Sequence, residues 1–223
     1  LVIDSTIISK KTNIDLRSLL KKMNRQKAKI GLIGAGWWAT TNHLPILEKR
    51  NDIELTSVCR LGKEELKKVS DRFGFIHSTE NYKELLENDL DGVIIASPHT
   101  KHFEHALAAI NKGFHIMCEK PLTTQAIEAK KLITEAKKNN VQILIPYGWH
   151  YRQFIQKAKQ LMTENCVGEI EFVMCHMASP IRSLLEGKQF TSDGGGAGDR
   201  MFDPEPNTWA DPIIAGGGYG LAQ

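Results

Sequence analysis

Gly34-Ala35-Gly36-Trp37-Trp38-Ala39 sets two glycines and an alanine at the spacing G-x-G-x-x-A, directly after an apolar run at 29–34. Between a strand and a helix, that spacing suits a diphosphate. Gly34 permits a tight turn. Gly36 has no Cβ, so the backbone can approach phosphates. Ala39 lets the helix pack close to the strand. The N–H groups and partial positive charge of the helix start then face the anion. The alternative is a glycine turn in an α/β fold that binds no nucleotide. Trp37 and Trp38 are candidates to line the same site, with Trp37 placed to shield the phosphates or the nicotinamide. Packing is the alternative for both, and His43 reads as structural.

A dinucleotide site has a second feature, at the end of the second strand. An acid there accepts from the ribose hydroxyls of NAD. Here Arg60 stands at that place, with Lys63 nearby. An arginine fork pairs with a 2′-phosphate, so NADP is favoured over NAD. The alternative is an exposed Arg60, with Glu64 or Glu65 reaching back to the ribose.

These residues need a scaffold. Strand candidates lie at 29–34, 53–59, 92–96, 115–119 and 141–147, with a weaker one at 75–77. They are continuous apolar runs, which suits a parallel sheet buried on both faces. Helical stripes separate them: Leu66, Val69 and Phe73; Phe103, Ala106, Leu107 and Ile110; Ile127, Leu132, Ile133 and Ala136. Gly113 stops the second stripe, and Thr123 or Thr124 reads as the N-cap of the third. The fold class is therefore α/β, a Rossmann-like doubly wound parallel sheet.

After Gly148 the pattern changes. "HYRQFIQKAKQLM" reads as a helix, and "GEIEFVMCHMAS" alternates Ile170, Phe172 and Met174 with Glu169, Glu171 and Val173. That reads as a strand of a mostly antiparallel sheet, the beginning of an α+β domain. The expected organisation is an extension over 1–22, a dinucleotide-binding domain over 23–148, and an incomplete substrate or oligomerisation domain over 149–223. A short amphipathic helix around Leu16 to Leu20 is expected in the extension. Glycines 194–196 and 216–218 bracket an aperiodic segment.

The bulk numbers narrow the class. Charged residues are 25% and net charge is only +3, with the basic residues scattered in short pairs, so no nucleic-acid footprint is expected. The four cysteines form no C-x-x-C pair, which fits buried thiols in a cytoplasmic protein rather than disulfides or a zinc site. No apolar run approaches the ~20 residues that span a bilayer, and the first residues fit a secretory leader poorly.

Two further motifs, "DGVIIASPHTKHFEHALAAINKG" and "FHIMCEKPLTT", follow the glycine loop in order. Together the three resemble the glucose–fructose oxidoreductase / inositol dehydrogenase (Gfo/Idh/MocA) family over roughly residues 27–148. The resemblance implies hydride transfer between NAD or NADP and a sugar, cyclitol or related polyol. It implies that Ser97, Pro98, His99 and His102 lie along the cofactor; capping or packing is the alternative for His102. Glu119 would contact the nicotinamide ribose. Lys120 would lie by the reacting carbon as the catalytic lysine. Trp149, His150 and Arg152, with Tyr151, would line the sugar site, or else pack between domains. The family also implies a general-acid histidine a few residues beyond the glycine segment near 216–220, which would fall past Gln223, so the chain reads as truncated. Two outcomes stay open: an oxidoreductase, or a nucleotide-binding protein without turnover. Self-association through the second-domain sheet is a further expectation.

Overall fold

Residues 32 and 33 point to opposite sides of one strand, and both are buried, Leu32 in one core and Ile33 in another. Ile94 and Ile95 repeat the split. A strand whose two faces both face protein must lie inside a sheet covered by helices on each side. The computed structural model describes residues 27–176, 182–188 and 200–215, and shows that sheet.

Six strands make it: β1 (Ala28–Ile33), β2 (Ile53–Cys59), β3 (His77–Thr79), β4 (Gly92–Ile95), β5 (His115–Cys118) and β6 (Ile143–Leu144). All neighbours pair in parallel, in the order β3-β2-β1-β4-β5-β6. The order reverses between β1 and β4, so a crevice opens at their carboxyl ends, where open α/β sheets hold ligands.

The connecting helices cover the faces. They are α1 (Leu44–Leu47), α2 (Lys63–Phe73), α3 (Tyr82–Leu85), α4 (His102–Asn111) and α5 (Ala126–Lys138). Leu66 and Val69 of α2 bury beside Leu32 and Val58. Ala106 and Ile110 of α4, with Leu132 and Ala136 of α5, bury beside Ile33 and Ile95. Gly74 ends α2 in the left-handed region at φ 70°, its N–H returning to Ser70 O.

The sequence expectations need correction in four places. Helix α5 starts at Ala126, and Gln125 takes the N-cap position; Thr123 Oγ1 instead donates to Gln125 O at 2.8 Å. Its stripe is narrower than expected, because Ile127 and Ile133 face solvent. Strand β3 lies two residues later than expected, since Phe75 turns into the core before pairing begins. Strand β6 is only two residues long, at the sheet edge.

Beyond the sheet, α6 (Gln153–Thr163) follows a single 3₁₀ turn at Gly148–Tyr151. Residues 170–176 take no strand conformation, and Phe172 and Met174 are exposed. Their alternation suits one buried face, but no described strand pairs with them, and an unpaired strand leaves its amides to water. Three short helices come last: α7 (Arg182–Leu185), α8 (Pro206–Ala210) and α9 (Pro212–Ala215). The expected extension at 1–22 and both glycine runs, 194–196 and 216–218, lie outside the described residues.

Candidate functional site

Gly34 is the first residue past β1, with φ at +93°. An added Cβ would stand 2.4 Å from Ser97 N, a backbone atom leaving β4. Glycine is therefore required twice, by conformation and by the closeness of the two strand ends. The loop then closes on itself. Gly36 N donates to Gly34 O at 2.8 Å, and Thr40 N donates to Gly36 O at 3.0 Å. Gly36 is different: a Cβ there would meet only Arg60 Nη1, at 3.8 Å. The protein leaves the space at Gly36 unfilled, as a backbone cradle for phosphate oxygens would. Ala35 and Ala39 are fully buried and seat the loop on the core.

Past the loop the chain makes a π-helical turn, Ala39–His43, before α1. Such turns are rare, and often sit at functional sites. This one brings His43 to Glu119. The Glu119 Oε1 accepts from Trp38 Nε1 at 2.8 Å and pairs with His43 Nε2 at 2.7 Å. Its Oε2 accepts from Lys120 N at 3.1 Å. Burial pushes the carboxyl pKa up, but the bonds from His43, Trp38 and the Lys120 amide outweigh it and hold the group below its ordinary 4.5. Glu119 is thus a buried carboxylate, ionised and fixed in rotation at the carboxyl end of β5.

Lys120 follows it. Its ammonium lies over the rings of Trp38 and Trp209, 5.9 and 5.5 Å from their centres. Burial lowers its pKa from the ordinary 10.5, and Glu119 partly opposes that. A lysine so placed can both hold a hydroxyl and exchange a proton with it.

The exit of β4 holds three histidines. Ser97 Oγ lies 2.9 Å from His105 Nδ1, while Pro98 is exposed. Burial pushes the His105 pKa down to about 4, so the ring is neutral near pH 7. His99 Nδ1 meets Ala215 O at 2.8 Å, and its ring stands edge-on to Trp209 at 5.4 Å. Burial lowers the His99 pKa as well. His102 is fully buried, with Nδ1 2.7 Å from Pro121 O and Nε2 2.8 Å from Ser97 O. Both nitrogens are committed to backbone carbonyls, so His102 clips the β4 and β5 exits together. Burial lowers its pKa, against the two carbonyls, which favour the protonated ring.

Arg60 leaves β2 and turns back under the loop. Its Nη1 donates to Ala35 O at 2.9 Å, and its guanidinium lies 4.1 Å over the Phe202 ring. Its Nε is buried with no hydrogen-bond partner among the described residues. Burial lowers its pKa. The simple exposed alternative does not hold, because the fork is half spent on the glycine loop itself. Trp37 meets Trp38 edge-on at 5.6 Å. Trp149, His150 and Arg152 lie on the surface. Arg152 sits 5.9 Å over Trp149, and His150 stacks at 3.9 Å on Tyr151.

A glycine cradle, a fixed carboxylate and a half-buried lysine thus surround one switch point. The GFO_IDH_MocA model, an oxidoreductase family with an NAD-binding Rossmann fold, matches residues 28–147. The chain belongs to this family.

Among family relatives, glucose-6-phosphate 3-dehydrogenase of Bacillus subtilis is 32% identical over 163 residues, 73% of this chain and 45% of that protein. The NADP(+) D-xylose 1-dehydrogenase of Haloarcula marismortui is 25% identical, over 74% of this chain and 48% of its own. A solved 3-ketoreductase from Actinomadura kijaniata, in complex with TDP-benzene and NADP, superposes with a TM-score of 0.60 at 28% identity. That match covers 65% of this chain and 44% of the other. The chain thus spans about half the length of the curated relatives it matches.

In this family member, His43 and Trp209 also join the site. His43 was read as structural and does support Glu119, but only the π-helical turn shows which residue it supports. Trp209 sits in an aperiodic stretch, where its one signal was a large aromatic among polar neighbours. His43 carries a prediction. Replacing it with phenylalanine leaves Glu119 buried with one partner fewer, at a cost of about 1–3 kcal/mol. The Glu119 pKa is lowered on folding, so as pH falls the unfolded chain takes up this proton first. Its contribution is full above the ordinary carboxyl range, and is lost as pH falls through the folded value. Urea midpoints should therefore separate parent and His43→Phe near pH 7 and converge as pH falls beneath the ordinary carboxyl range.

Proposed function

We propose that this chain binds NAD or NADP at the Gly34–Ala39 loop and takes part in hydride exchange with a hydroxyl-bearing carbon of a sugar, cyclitol or related polyol. The reading is carried by one observation: Lys120, half-buried beside a fixed Glu119, stands at the end of β5, across the switch point from the glycine loop. NAD(P), when bound, supplies the two-electron acceptor or donor. The chain's own residues do the rest. The open space at Gly36 and the start of the turn that follows receive the diphosphate, and Trp37 shields it. Glu119, ionised and held by Trp38 and His43, offers a carboxylate to a ribose hydroxyl. Lys120 orients the reacting hydroxyl and exchanges its proton as the carbon is oxidised or reduced. Its lowered pKa brings that exchange closer to neutral pH. Ser97, Pro98 and His99 line the cofactor's other side.

NADP is the favoured form. Arg60 at the end of β2 supports this, since its guanidinium spends one nitrogen on Ala35 O and keeps donors for a 2′-phosphate. Tryptophan quenching by NADPH and by NADH tests both points. Arg60→Ala should weaken NADPH by roughly 10- to 100-fold, the worth of a charged hydrogen bond. NADH should change less than about threefold by the same scale. Tighter NADH binding by the parent chain would reject the preference; failure of both nucleotides would reject the site.

The residues from 149 onward are proposed to begin a second, α+β domain. Trp149, His150 and Arg152 would then approach the substrate from that side, and the exposed face of Ile170, Phe172 and Met174 would join a sheet able to self-associate. A cytoplasmic location fits the unpaired cysteines. No described helix is long and apolar enough to cross a membrane.

A further inference from the structure

Two indoles stand by the Lys120 ammonium. Trp38 comes from the glycine loop, and its ring is held by the bond from Nε1 to Glu119. Trp209 comes from α8, far along the chain, yet its ring centre is only 5.5 Å from the Lys120 ammonium. The segment that carries it is fastened to the β4 exit. Ala215 O meets His99 Nδ1 at 2.8 Å, and Ile214 O accepts from Thr100 Oγ1 at 3.3 Å. The turn between α8 and α9 is braced by Asp211, whose carboxylate accepts from Ile213 N at 2.8 Å and whose carbonyl accepts from Ala215 N at 2.8 Å. His99 backs the Trp209 ring edge-on, 5.4 Å away and at 85°. The ring is fixed from behind and only partly buried.

A pyranose or cyclitol ring has two kinds of surface. Its hydroxyls project around the rim, and its C–H bonds make patches on the faces. An indole face accepts such C–H groups, and an ammonium beside it donates to the rim. Lys120 and Trp209 offer that pair at a spacing of one ring.

We propose that Trp209 is the platform for the apolar face of the sugar or cyclitol whose hydroxyl Lys120 holds, with Trp38 bounding the opposite side. The assignment rests on the dehydrogenase reading of the site. It makes Trp209 a determinant of substrate binding and leaves nucleotide binding to the glycine loop. It also makes the segment of residues 200–215 part of the site, although that segment lies beyond the residues matched to the family.

The chain contains four tryptophans, so ¹⁵N-indole NMR resolves each one. The chain saturated with NADPH is titrated with scyllo-inositol, D-xylose and D-glucose 6-phosphate. At least one probe should shift the Trp209 indole signal, identified by its loss in Trp209→Phe. Trp209→Ala should weaken that probe roughly tenfold, read at Trp38, while Trp209→Phe stays within about threefold of the parent. NADPH affinity should be unchanged in both variants. A probe that binds the parent and Trp209→Ala equally overturns the platform and leaves the dehydrogenase reading standing. No indole shift with any probe in the parent, NADPH being bound, overturns both. Loss of NADPH binding in Trp209→Ala makes the residue structural and overturns the platform as well.

Discussion

Lys120→Ala is expected to lower kcat by about 10²–10⁴ in a form of the protein that turns over, the range for loss of a positioned proton-transfer group. The geometry explains why the loss should fall on kcat. Lys120 meets the glycine loop through the Trp38 ring, 5.9 Å from its centre, and Glu119 keeps its bonds to Trp38 and His43 without the lysine side chain. NADPH affinity should therefore stay within a few-fold, while the chemical step loses both the donor that orients the hydroxyl and the group that exchanges its proton. Lys120→Met, which keeps the stem between the two indoles, separates charge from packing. Equal losses in the two variants assign the effect to the ammonium. The pH profile gives a second check. Burial lowers the lysine's pKa, so the fraction able to accept a proton grows as pH rises toward the ordinary lysine range. Oxidation of the alcohol should rise with pH over that interval in the parent and flatten in both variants. Turnover that survives Lys120→Ala unchanged would remove the lysine from the chemistry.

Much of this was legible before any coordinates. The strands of the sheet are continuous apolar runs, and such runs have one use in a chain that alternates them with amphipathic helices. The G-x-G-x-x-A spacing located the crevice because both glycines serve backbone geometry, which sequence records directly. What sequence did not record was side-chain pairing across the fold. His102 carries a motif position that suggested the cofactor, yet two carbonyls from different strand ends consume both of its nitrogens. Arg60 was placed correctly at the end of β2, but its bond to Ala35 O depends on how the loop curls back. His43 reaches Glu119 through a π-helical turn, for which "ATTNH" gives no distinctive pattern. Trp209 arrives through a segment without periodicity, so nothing local tied it to Lys120. The alternation at 170–174 was real in the sequence, but alternation specifies only a face, and a strand also needs a neighbour to pair with.

Gly34→Ala should be the most destabilising single change in the nucleotide half. Three costs combine at one atom. The backbone at φ +93° lies outside the regions open to alanine, a penalty of about 1–3 kcal/mol. The new methyl would stand 2.4 Å from Ser97 N, 2.5 Å from Ala96 C and 2.6 Å from Ser97 Cα. Those are backbone atoms, so no side chain can swing aside. Relief requires β1 and β4 to part, which strains the bond from Ala96 N to Ile33 O, now 2.8 Å. With the clash, the total should reach at least about 3–5 kcal/mol, a large share of the 5–15 kcal/mol that holds a typical domain together. Gly36→Ala is the control. Its Cβ would sit 3.8 Å from Arg60 Nη1, an ordinary contact, and its φ is not in the left-handed region. Folding should change by less than about 1 kcal/mol there. NADPH affinity should nonetheless fall, because the added methyl occupies the space left for phosphate. The two substitutions differ by two positions and should fail in opposite ways, one in urea unfolding and the other in nucleotide titration. A Gly34→Ala chain as stable as the parent would mean that the ends of β1 and β4 are not pressed together, and the crevice would lose the geometry that makes it a binding site.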